Sequence, residues 1–93
     1  MMNEGIQDLQ KNWDDWKTEL EKGDKTTSDY VKTVKDLTDT IGKLLGCMGD
    51  LELPQEFFDD VENINLIEKA VKGDIDAINS LGIAVSKQLV KSG

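Results

Sequence analysis

Carboxylates are the main stock of reactive side chains here: 19 Asp and Glu stand against 11 lysines, with no arginine, no histidine and one cysteine. Paired acids can share general-acid and general-base work when burial raises the pKa of one of them. Asp14-Asp15 and Asp59-Asp60 are the adjacent pairs. Neighbouring positions on a helix diverge, and nothing in either stretch promises apolar burial, so both pairs read as solvated charges. Asp74, Asp76 and Asn79 have the opening cadence of a calcium loop. An EF-hand also needs a ligand at its fifth position, glycine at its sixth and glutamate at its twelfth; here those are Ile78, Asn79 and Val85. Cys47 has no histidine, arginine or adjacent lysine to lower its pKa, so it reads as a half-buried residue near a helix end. A lone thiol without histidine excludes imidazole triads, zinc sites of the usual kinds and any intramolecular disulfide. The glycines lack Walker or Rossmann spacing. The expectation is a non-enzymatic chain with no catalytic, cofactor-binding or metal residues and no small-molecule substrate.

A net charge of -8 repels phosphate, and without arginine there is no bidentate fork for phosphate or guanine. Direct nucleic-acid binding and attachment to anionic membranes are therefore not expected. The acids Asp50, Glu52, Glu56, Asp59, Asp60 and Glu62 form a run without a base. It reads first as a solubilising face and second as a docking surface for a basic partner. No apolar run approaches the roughly 20 residues of a membrane span, and Met1-Met2-Asn3-Glu4-Gly5 is unlike a signal peptide. Synthesis in the cytoplasm is the expectation, and the doubled methionine suggests a start placed before an existing Met, hence either an excised segment or a tagged chain.

The elements that must carry these groups are helical. Ninety-three residues make one domain. Ile6, Leu9, Trp13, Trp16 and Leu20 recur at alternating three- and four-residue spacing, one face of a helix from about Asn3 or Glu4 to Lys22. Gly23 suits the left-handed stop, and Thr26 or Thr27 caps a second helix from about Thr27 to Leu45. That helix carries Tyr30, Val34, Leu37, Ile41 and Leu44, with Met48 extending the stripe and Gly42 marking a close helix contact. The two stripes predict an antiparallel hairpin over about 4–45. A loop follows at about 46–53. Pro54 then opens a short helix to about Val61, with Phe57, Phe58 and Val61 turned inward and the phenylalanines plugging the hairpin's open end. Asn63 or Asn65 caps a further segment to about Lys72, buried through Ile64, Ile67, Ala70 and Val71; together these shorter helices occupy about 54–72. Gly73 ends it, and Asp74 caps a last helix over about 74–90 with Ile75, Ile78, Leu81, Gly82, Val85 and Leu89 on its buried side. The fold class is all-α, a small bundle of four to five helices built on an N-terminal antiparallel hairpin. Lys22-Gly23-Asp24 and Lys72-Gly73-Asp74 echo one another, as a glycine stop followed by an aspartate cap requires.

Three families come to comparison on particular residues. Asn79-Ser80-Leu81 is one change from the Asp-Ser-Leu attachment signature of acyl carrier proteins, but Ser80 lies inside the last helix, whereas the family's serine opens the second of four. The acidic helical-hairpin export family places a Trp-x-Gly in its turn, and neither tryptophan here is followed by that glycine. Trp13, Leu20, Lys22-Gly23-Asp24, Asp29-Tyr30, Leu37, Leu44, Phe57, Ile67, Ala70, Gly73-Asp74, Ala77-Ile78 and Leu81 resemble a helical module of phage and prophage tail tape-measure proteins. The resemblance implies a structural or packing segment of a long helical protein housed in the virion tail, with protein partners: itself or other tail proteins. The family's coiled-coil run, apolar segments and cell-wall-degrading domains are missing, and no catalytic residue carries across. The alternative is a small acidic helical adaptor for protein–protein interaction.

Overall fold

The two strongest apolar stripes form helices α1 (Glu4–Lys22) and α2 (Ser28–Leu44) in the computed structural model, which describes residues 4–46 and 51–92. Cys47, Met48 and Asp50 lie outside the described residues, and so do the expectations placed on them. Gly23 takes φ +73°, the left-handed conformation that costs glycine least, and α1 stops there. Asp24 then holds the turn, its Oδ1 accepting from the Thr26 amide at 3.1 Å and hydroxyl at 2.6 Å. The Thr27 hydroxyl oxygen accepts from the Tyr30 amide at 3.1 Å, so Thr27 is the cap of α2.

Beyond the loop come α3 (Gln55–Asp59), α4 (Val61–Val71) and α5 (Ile75–Ser92). The join between α3 and α4 departs from expectation. Pro54 stands just outside α3 rather than in its first turn, and Asp60 caps α4 by accepting from the Glu62 amide at 2.9 Å. Asn63 is not a cap: it lies within α4 and donates through Nδ2 to the Phe57 carbonyl at 2.9 Å, tying the two short helices together. Val61 consequently opens α4 on its outer side, 70% exposed, and takes no part in the inward cluster expected of it. Gly73 repeats the left-handed stop at φ +85°, and Asp74 caps α5 through the Ala77 amide at 3.2 Å. The two Lys-Gly-Asp turns thus share only the glycine stop, since Asp74 caps its helix directly and Asp24 leaves that to Thr27.

All five helices join one core. α1 lies between α2 and α4, and α5 packs chiefly on α4. Gly5 sits against Leu44, and Lys43 reaches Asp8 at 3.7 Å, so α1 and α2 run antiparallel. Gln10 donates to the Val71 carbonyl at 2.9 Å and Lys17 to Glu68 at 3.0 Å, which sets α4 antiparallel to α1 on its other side. Leu9, Trp13, Trp16, Tyr30, Leu37 and Ile41 are buried from the first hairpin, and Ile67, Ala70, Leu81 and Val85 from the second. The C-terminal pair is therefore a second hairpin sharing the core. The radius of gyration, 12.3 Å, matches the value of about 12 Å for a compact chain of this length. Among the described residues no buried side-chain nitrogen or oxygen lacks a hydrogen-bond partner.

Phe57 and Phe58 are buried at 2% and 3% exposure and meet edge to face with centroids 5.3 Å apart. Their place corrects the expectation of a plug at the hairpin's open end. Asp59, next in chain, pairs with Lys25 and accepts from the Tyr30 hydroxyl at 3.5 Å. The end of α3 is thereby pinned beside the turn that joins α1 to α2, the closed end. A tight helix contact lies at Gly5, against Leu44, and Gly42 is buried within α2.

Candidate functional site

Each residue pattern with chemical potential can now be placed. Asp14 and Asp15 are exposed on the outside of α1. Asp59 pairs with Lys25, whereas Asp60 turns to its own helix start, so the second acidic pair diverges into two structural roles. Asp74 is a helix cap, and Asp76 and Ser80 are exposed on α5. Among the described residues no three acids or other metal-binding side chains stand close enough to hold a metal ion. The described part of the acidic run, Glu52, Glu56, Asp59, Asp60 and Glu62, is exposed throughout.

Electrostatic perturbation follows the surface pairs. The hydrogen bond and charge of Lys17 hold the Glu68 carboxyl below its ordinary value, and Glu68 in turn raises Lys17. Asp24 is lowered by the two hydrogen bonds from Thr26. Burial first, and the negative charge of Asp59 second, raise the Tyr30 hydroxyl. Each of these groups belongs to a turn or to a junction between helices, which is where fold-holding pairs are expected.

The tryptophans, which could have lined an exposed groove for a partner, are 5% and 8% exposed and belong to the core. Other concavities mark the surface, two of them mainly apolar. One, of about 540 Å³, runs between α2 and the extended stretch Leu51–Pro54, floored by Val31, Val34 and Leu53 and edged by Lys35, Asp39 and Glu52. The other, of about 690 Å³, lies along the C-terminal half of α5 beside Leu45 and is mostly apolar, with Gly82, Ile83, Leu89 and Val90 on its walls. Of the six large apolar residues exposed among the described residues, Ile75, Ile83, Leu89 and Val90 are all on α5. Ile75 and Leu89 had been expected inside; the helix instead turns Ala77, Leu81 and Val85 to the core. The signal was present in the sequence, because α5 is apolar on more than one side, and such a helix has more than one neighbour to satisfy.

No helix among the described residues is long and apolar enough to cross a membrane. In comparison with known proteins, no family model, no curated protein and no solved structure matches the chain.

Proposed function

We propose that this chain is a non-enzymatic structural segment, a helical packing module of a phage tail tape-measure protein. The observation that carries the reading is where the chemistry-bearing residues went. The described aspartates with a defined partner cap helices, brace turns or pair across helix junctions, and the two indoles fill the core. Side chains committed to holding a bundle together support a scaffold role rather than a reactive one. The resemblance, carried by residues from Trp13 to Leu81 across most of the chain, supports the assignment to a tail. The partners of such a module are proteins, its own kind or other tail components, and the virion tail is its destination.

The apolar groove on α5 favours one other reading, a free-standing acidic adaptor that seats a protein partner there. Mass spectrometry of purified tail particles separates the two. Recovery of these peptides within a much longer polypeptide, encoded beside other tail genes, is the expected result. Their recovery only from a short cytosolic protein with its own ends overturns the tail assignment in favour of the adaptor.

A further inference from the structure

We propose that the outward side of α5 docks against the same side of a second copy of this chain, antiparallel and about a two-fold axis. The helix is apolar on two sides. Ala77, Leu81 and Val85 are buried at 4%, 0% and 2% exposure, whereas Ile75, Ile83 and Val90, on the opposite side, are 71%, 58% and 80% exposed. With Asn79 and Ser86 between them these three form a continuous line at three- and four-residue spacing, the repeat by which one helix packs along another.

Charge selects the occupant and its direction. α5 carries one acid, fewer than any of the other four helices, so its own charges least oppose the approach of a second chain of net charge -8; Asp60 and Glu62 border the hollow that Ile83 and Lys87 line. Its acid, Asp76, lies in the first turn, and Lys87 lies three turns later on the same flank of the apolar line. A parallel pair would turn this flank to opposite sides of the seam, leaving Asp76 and Lys87 of the two copies apart. Reversing one helix brings Ile75 opposite Val90 of the second copy, Asn79 opposite Ser86 and Ile83 opposite Gly82. Asp76 then falls within about 3 Å of level with Lys87 of the second copy, at a rise of about 1.5 Å per residue, and the two-fold axis makes the pairing twice. A self-complementary patch of this kind is what an isologous dimer requires. The contact does not rest on the tail reading, since it uses only this surface.

Sedimentation equilibrium tests it. The mass rises from 10.4 kDa toward twice that value between about 10 μM and 1 mM, the range suited to a small interface. Ile83→Asp, exposed in the monomer and so compatible with folding, weakens association about tenfold or more. Asp76→Lys and Lys87→Glu each weaken it, and the two combined restore it, with circular dichroism unchanged throughout. A chain monomeric at every concentration overturns the proposal. So does a dimer indifferent to Ile83→Asp, or one that the combined charge reversal fails to restore.

Discussion

Gly5 and Gly82 set up one substitution with opposite expected signs. Within a helix, alanine in place of glycine is favoured by about 0.5–1 kcal/mol because the unfolded chain loses less freedom. At Gly5 a Cβ would stand 2.6 Å from the Leu44 amide nitrogen and 2.7 Å from its Cα, well inside the roughly 3.5–4.0 Å of ordinary carbon contact. Both atoms are backbone in the last turn of α2, so no side chain can swing aside; the start of α1 has to retreat by about 1 Å from its neighbour. Overpacking of this kind costs about 1–3 kcal/mol. Gly5 is the second residue of its helix, where fraying relieves part of the strain, so the net effect of Gly5→Ala is a loss of about 1–2 kcal/mol. At Gly82 the nearest atom to a Cβ is the far end of Leu45, 3.5 Å away, which is ordinary contact, and Gly82→Ala gains up to about 1 kcal/mol. At about 4–8 °C per kcal/mol for a domain of this size, Gly5→Ala lowers Tm by about 5–15 °C and Gly82→Ala raises it by several degrees. Thermal and urea unfolding followed at 222 nm in dilute solution measures both. A Gly5→Ala chain that melts at or above the parent refutes the close-contact reasoning, because propensity alone would then have decided the outcome.

Trp13→Ala removes a side chain that is 5% exposed and costs about 3–5 kcal/mol, a large part of the stability of a small domain; urea midpoints measure it, and the parent's tryptophan emission is blue-shifted and shielded from acrylamide. Because the Tyr30 hydroxyl is raised above its ordinary 10.0 by burial and by Asp59, the stability it contributes is fully present below pH 10.0 and is lost as pH rises through its folded value. Tyr30→Phe flattens that alkaline slope in a series of unfolding curves, leaving the part due to Lys17 and Lys25, which are also raised. On the acid side Glu68 and Asp24 are lowered from 4.5 and 3.8, so their contribution is present above those values and disappears as pH falls through the folded ones; Glu68→Gln reduces the acid dependence, the small stability it removes being lost at pH 7 and the gap to the parent closing at low pH. Thr27→Ala deletes the cap of α2 and lowers stability by about 1 kcal/mol.

Helix existence and helix ends were legible in the sequence because both are local. The Trp13 and Tyr30 stripes depend on contacts three and four residues apart, Gly23 and Gly73 stop their helices by a backbone angle open to glycine, and Thr27 and Asp74 bond amides three residues onward. The α3–α4 join misled for the same reason: Asp60, Asn63 and Asn65 can all cap, and the choice fell to Asp60 once Asn63 was taken by the Phe57 carbonyl, a bond within the folded corner. The two-sided apolar character of α5 was also legible, though not which side the core would take.

Sequence alone therefore determined an all-α chain, its hairpin and its acidic surface, since periodicity, caps and charge count belong to each segment separately. Only the tertiary structure decided that α1 sits between α2 and α4, that α3 closes the turn end through Asp59, that Gly5 stands tight against Leu44, and that Ile75, Ile83 and Val90 stay outside. Those outcomes depend on which apolar faces compete for one small core. Once α1, α2 and α4 had filled it, α5 could bury one side, and the other was left to solvent.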